Sequence, residues 1–481
     1  MLRRSLLLLG MIAVVASSTS GQEIADDPRV AAAVNLLELW LDAEQAYKDI
    51  PGLSMAIVHD QEIVWRGAFG YADRARMAPA TPRTIYSICS ISKLFTSIGV
   101  MQLRDEGKLH LDDPVQEHLA WFDIEQRYPD SPPITIEGLL THSAGLPRES
   151  DFPYWTPDFD FPTREMIVEK LGSQETLYPA SQYFQYSNLG LTLAGEVLAA
   201  NAGQSYADYV TSNIIQPLGL DDTTPEIPAD QRGARFAMGY GSPGREGERS
   251  ELAFFQVRGI APAAGFASTV EDLAAFASWQ FRVLEGDDDD ILSANTLKEM
   301  QRVHWVDPDW EVHWGLGFSV WRDNGKTFVG HGGGCPGFRS HFMLQTDEKF
   351  AAIVMTNAID VNSSKYTGVA HQILAPAIGK ALDSPDDTTP ADTSLNFYAG
   401  SYDLAWGGEL AVFPWEDGLA MLYLPSDDPV DAIVKLKHVE GHTFRRVRGD
   451  DELGEEIVFE VGEDGEITRL IRHSNYSDKI R

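Results

Sequence analysis

The chain has 481 residues and a formal net charge of −34 at pH 7, from 38 Lys and Arg set against 72 Asp and Glu. Such a balance excludes nucleic-acid binding, because a phosphate backbone demands a basic footprint. The length suggests two domains rather than one, and the two cysteines suggest no metal site by number or spacing.

At the N-terminus, Met1-Leu2-Arg3-Arg4, the apolar run Leu6 to Ala16 and the small residues Ser17 to Gly21 read as a secretory signal peptide, residues 1–21. Its apolar stretch is too short to span a bilayer, so the mature chain is expected to be exported, periplasmic or extracellular, with no stable membrane anchor. A helical stretch around Ala31 to Ala46 follows, then Leu53 to His59 and Glu62 to Gly70 as a hairpin turning at Asp60-Gln61.

Ser90 and Lys93 open an apolar-periodic segment in which Ile91, Leu94, Phe95, Ile98 and Met101 recur at helical spacing. The pattern predicts a helix from Ser90 to about Glu106, stopped by Gly107. Positions three apart share one helix face, so the Lys93 amine can reach the Ser90 hydroxyl. A serine needs such a base to become a nucleophile, and a lysine serves only if burial or a neighbouring cation pulls its pKa down. Taken alone, a Ser-x-x-Lys spacing is equally an N-capping serine followed by a surface lysine.

Tyr186-Ser187-Asn188 precedes the apolar run Leu189 to Leu198 and reads as a loop entering a helix, where side chains can face a cleft. A phenol there can tune the lysine or hand a proton to a leaving group, and an amide can orient lysine and substrate; a packed ring and an Asn cap are the bland alternative. Thr269 to Gln280 is another helix. Gly315 to Trp321, Phe328 to Gly330, His341 to Gln345 and Phe350 to Thr356 read as antiparallel strands. Within them, His331-Gly332-Gly333-Gly334 carries almost no side chains, so another backbone can approach it closely. A substrate lying along it as an added edge would bring backbone N–H groups of Ser90 and near Gly334 together on an oxyanion, and a flexible hairpin turn is the bland alternative.

Strands at both ends with helices between them give an α+β body. The order Ser90-Ile91-Ser92-Lys93, Tyr186-Ser187-Asn188, His331-Gly332-Gly333, supported by Leu139-Leu140-Thr141-His142-Ser143-Ala144-Gly145-Leu146-Pro147, resembles the penicillin-recognising serine hydrolases, the class C β-lactamase branch with its esterase and D-amino-acid peptidase relatives. The resemblance covers residues 40 to 375. It implies a β-lactamase/transpeptidase-like antiparallel sheet packed beside a helical lobe. It also implies Ser90 as acylated nucleophile, Lys93 as base, Tyr186 as acid/base partner, Asn188 as substrate and lysine contact, and His331 with Gly332, Gly333 and Gly334 as the substrate-binding strand. The best-known relatives carry lysine where this chain has His331. A histidine is mostly neutral at pH 7 to 8, which disfavours anionic substrates unless Arg339 restores a positive contact.

The expected substrate is thus a small-molecule ester, amide or D-amino-acid peptide. A catalytically silent cell-wall-binding or scaffold relative, or a β-lactamase or carboxypeptidase, is the alternative. No cofactor or metal is expected.

Cys89 and Cys335 fall near one cleft, as a disulfide or as two small buried thiols. Two aromatic-rich loops, Phe152-Pro153-Tyr154-Trp155 and Trp305 through Trp314, either wall the cleft or simply pack. The run Asp287 to Asp290 reads as a solvated loop. Residues 22–382 are taken as the hydrolase domain and 383–393 as a polar linker. Residues 394–481, with alternating strands such as Glu409 to Phe413, Leu419 to Leu424 and Ile467 to His473, form a small antiparallel barrel similar to lipocalin-like appended domains, either a structural cap or a gate.

Overall fold

The computed structural model describes residues 24–286, 290–385 and 392–481. The signal segment expected at residues 1–21, most of the acidic run and residues 386–391 of the expected linker lie outside the described residues.

Helix α1 (Pro28–Tyr47) begins at Asp27, whose carboxylate accepts the Arg29 N–H, with Pro28 in the first helical position. Strands β1 (Gly52–His59) and β2 (Glu62–Asp73) form the expected hairpin. The helical middle contains α2 (Ser92–Asp105), α3 (Asn188–Ala202) and α4 (Val270–Leu284). The chain then returns to the sheet through β3 (Ser319–Asp323), β4 (Lys326–Cys335), β5 (Phe338–Gln345) and β6 (Phe350–Thr356), and leaves it in α5 (Ser363–Asp383).

Late strand β6 pairs with early strand β1, so the two ends of this region meet at the centre of an antiparallel sheet ordered β2-β1-β6-β5-β4-β3, with short strands at both edges. Central β1 is buried on both faces and reads as a continuous apolar run. Met55 and Ile57 face α1 and α5 in one core, while Ala56 and Val58 face α4 and the helical lobe in the other. The strand expected at Gly315 starts at Ser319 instead. Gly317, at φ +80°, turns the chain against α2 so tightly that a Cβ there would lie 2.1 Å from Ser97 Oγ.

Beyond residue 392, eight strands run in sequential antiparallel order from Gly400–Asp403 to Asn475–Asp478. A bridge between Tyr402 and Lys479 and the Ile480 N–H donated to Ser401 O bring the first and last strands together, so the barrel is nearly closed. Those two terminal strands, four residues each, were too short for their alternation to be read from the sequence. Inside pack Tyr402, Leu410, Phe444 and Phe459. Outside, Ala411, Phe413, Ala420 and Leu422 join Leu37, Trp40 and Leu374 in the core beneath α1 and α5. At about 1.5–3 kcal/mol for each large apolar side chain buried, this shared core holds the barrel on the face of the sheet that α1 and α5 cover.

Candidate active site

The helix carrying the nucleophile candidate starts two residues later than the periodicity predicts. A 3₁₀ turn, Cys89–Ile91, precedes α2, and Cys89 takes φ +52°, a left-handed conformation uncommon outside glycine. That turn sets Ser90 at the head of α2, half-buried. Cys89 is disulfide-bonded to Cys335 at the end of β4, which resolves the two alternatives in favour of a bridge. Gly107 stops α2 as expected, at φ +71°, with Lys108 N–H donated back to Leu103 O.

Lys93 is fully buried. Its Nζ lies 3.1 Å from Ser90 Oγ, 2.8 Å from Asn188 Oδ1 and 2.7 Å from Ala263 O. Burial pulls the ammonium down to about 7, with Arg148 pulling the same way and Glu149 opposing. The neutral amine has two hydrogens and one lone pair. Two of its neighbours, an amide oxygen and a backbone carbonyl, only accept, so both hydrogens go to them and the lone pair is left for the Ser90 hydroxyl. The geometry thus directs the lone pair of a neutral Lys93 at a serine hydroxyl.

Ser187, rather than Asn188, caps α3, accepting the Gly190 N–H at 2.8 Å. Asn188 is thereby free to face Lys93. Its Nδ2 donates to Glu149 Oε1 at 2.7 Å, and since a carboxylate only accepts, the amide oxygen must point toward the lysine. The Tyr186 ring centroid lies 4.9 Å from Lys93 Nζ and 4.9 Å from the Arg148 guanidinium. Burial pushes the phenol far above its ordinary value, its hydrogen bond with Ser90 only partly opposing, so at neutral pH it is a proton donor.

His331 is buried, donates from Nδ1 to Gly332 O at 2.6 Å and is held down to about 3 by desolvation and by Lys93, so it is neutral. Pairing of β4 with β3 ends at Gly330, leaving His331–Cys335 as a free edge beside the Ser90 turn. At Gly333 a Cβ would sit 2.2 Å from Ile88 O, which explains why this position has no side chain. The guanidinium of Arg339 lies over Gly334 and donates from Nε to Ile359 O at 2.6 Å. Ser90, Tyr186, His331, Gly332, Gly333 and Gly334 line one cleft of about 650 Å³ together with Arg148 and Arg339. Lys93 and Asn188 lie buried, with Lys93 reaching both Ser90 and Asn188.

A family model described as Beta-lactamase matches residues 40–368. The chain belongs to the β-lactamase family. A second model, a domain of unknown function (DUF3471), matches residues 384–479, the region of the barrel. The chain is similar to "Beta-lactamase-like protein 2" of Dictyostelium discoideum, 26% identical over 364 residues, which are 74% of this chain and 65% of that protein. The match thus spans less than two thirds of that relative's length. It is also similar to the octameric penicillin-binding protein homologue from Pyrococcus abyssi, with TM-score 0.63 and 25% identity, covering 93% of this chain and 100% of that one. A D-stereospecific amidohydrolase from Streptomyces shares the fold, with TM-score 0.57 and 23% identity over 73% of this chain and 97% of that chain.

Two of four further residues at this β-lactamase-family site, Arg148 and Glu149, are not singled out in the sequence, whereas His142 lies in the supporting stretch and Trp314 in one of the aromatic loops read there. Arg148 and Glu149 directly follow the Thr141–Pro147 stretch. His142, at φ +59°, is buried beneath Tyr186 with ring centroids 4.3 Å apart, its Nδ1 accepting the Ser187 N–H. Trp314 packs edge-on against His331, centroids 5.5 Å apart, and against Tyr186, 6.0 Å apart. Of the two aromatic loops, the second therefore brings Trp314 to the site, while in the first Tyr154 donates its hydroxyl to Glu149 and packs on Phe161. No barrel residue lines the cleft that holds Ser90.

Proposed function

We propose that this chain is a serine hydrolase that works through an acyl-enzyme on small esters, amides or D-amino-acid peptides. The observation that carries this reading is the hydrogen-bond set of Lys93, which leaves the lone pair of the buried amine facing Ser90 Oγ once its proton is lost. In the first step Lys93 takes the Ser90 proton as Oγ bonds to the carbonyl carbon. The oxyanion is held by the backbone N–H groups of Ser90 and of the β4 edge near Gly334. Tyr186 hands its proton to the leaving alkoxide or amine as the C–O or C–N bond breaks, and is reprotonated from Lys93. Water then attacks the ester carbonyl and releases the acid.

A neutral His331 supports uncharged groups along β4, and the amidohydrolase likeness supports amides as well as esters. The disulfide supports an exported protein, because such bonds persist in oxidising compartments. Intact-protein mass spectrometry after incubation with p-nitrophenyl esters, a penicillin and D-alanyl peptides tests the reading. The expected result is a mass increase on the peptide containing Ser90, absent in Ser90→Ala. Turnover that survives Ser90→Ala would refute it.

A further inference from the structure

Behind Tyr186 lies a second hollow that the chemistry above does not use. It measures about 650 Å³ and is walled chiefly by Phe184, Val303, Val312, Trp314, Val320 and Trp321. Tyr186 lines both this groove and the cleft of Ser90, so the two spaces lie against the same side chain. Val303 is 39% exposed, Phe184 and Trp314 pack at a tilt of 47° with centroids 5.2 Å apart, and most of the wall comes from the loop between Trp305 and Trp314 and from β3. A groove of this size adjoining the Ser90 cleft is the shape of a site for an apolar group.

Its direction selects which part of the substrate enters. Strand β4 runs from Thr327, which borders the groove, past His331 to Gly334, which borders the cleft near Ser90. In the acyl-transfer reading, on which this inference rests, the oxyanion points to the Gly334 end and the departing atom lies at the Tyr186 hydroxyl. We infer that the groove binds the leaving group, and that this group is an aliphatic or aromatic alcohol or amine. The preferred substrate is then an ester or amide whose apolar bulk lies on the departing side, with the acyl side facing the polar cleft that carries Arg148 and Arg339.

The test is hydrolysis of ethyl, butyl, hexyl and octyl acetate, whose alcohols leave with nearly equal basicity, beside ethyl esters of lengthening acids. The wild-type kcat/KM is expected to rise about two- to fourfold per methylene through hexyl acetate, the factor for burying one CH₂ group, and to change less than about threefold along the acyl series. Val303→Glu and Val312→Glu, both at partly exposed positions, should flatten the alkyl series. A flat alkyl series in the wild type, a steeper acyl series, or a slope unchanged by both variants would overturn the assignment. Should neither these esters nor amides or D-alanyl peptides be hydrolysed, the serine-hydrolase reading falls, and tryptophan fluorescence on titration with butan-1-ol to octan-1-ol still decides the groove. Tighter binding with chain length that Val312→Glu abolishes supports an apolar site, and an absence of binding removes it.

Discussion

Glu149 Oε1 stands 2.7 Å from Asn188 Nδ2, and through that one hydrogen bond a carboxylate outside all three recognised motifs fixes which end of the amide faces Lys93. The same carboxylate favours the protonated lysine, so it acts on both the geometry and the charge of the base.

Glu149→Gln keeps the shape of the side chain and removes its charge. We expect kcat for p-nitrophenyl acetate to fall by roughly tenfold, within the range for an imperfectly placed general base. Because Glu149 raises the Lys93 pKa, its loss should also move the acid limb of the pH–rate profile to lower pH. An acid limb that stays in place or rises would contradict the coupling.

In the wild type, kcat/KM should climb with pH along a limb centred near 7, where Lys93 gives up its proton. Lys93→Met should cost about 10²–10⁴-fold in kcat. Stability carries the same signature. The folded lysine titrates near 7 and the unfolded one near 10.5, so between these values the unfolded chain binds more protons. Wild-type stability relative to Lys93→Met should therefore rise from pH 7 to about 10.5, as denaturant melts at several pH values will show. His331, held near 3 against 6.5 when unfolded, also has its folded pKa depressed, and its contribution is lost as pH falls from about 6.5 toward 3.

Two adjacent glycines should behave differently. Alanine at Gly333 meets Ile88 O at 2.2 Å and must push β4 away from the Ser90 turn. Alanine at Gly332 meets nothing closer than 3.5 Å. Gly333→Ala is expected to lower kcat/KM at least about a hundredfold, in line with the loss of one oxyanion donor, and Gly332→Ala by much less. Equal losses in the two variants would count against the close approach as the cause.

The disulfide joins residues 246 apart in sequence and ties the turn before Ser90 to the end of β4. Cys335→Ala should lower stability by about 2–5 kcal/mol, the usual range for a bridge that closes a long loop. Calorimetry of the wild type with and without a phosphine reductant measures the same quantity, and a melting temperature unmoved by reduction would argue that the bridge does not form in solution.

Local order along the chain determined much of this. Residues three apart fall on one side of a helical turn, α or 3₁₀, which is why spacing alone pairs Ser90 with Lys93, and the alternation of the later strands marks the sheet and most of the barrel. Tertiary structure decided whatever depended on residues with no periodic relation to one another. The Lys93 lone pair faces Ser90, and its pKa falls, only because Asn188 and Ala263, from two other segments, claim its hydrogens and because the folded lobe removes water from around it. The pairing of Cys89 with Cys335, the turn of Glu149 toward Asn188 and the approach of Trp314 to Tyr186 are likewise contacts across hundreds or tens of residues. Spacing encodes which side chains share an element; desolvation and long-range contact exist only once the elements are packed.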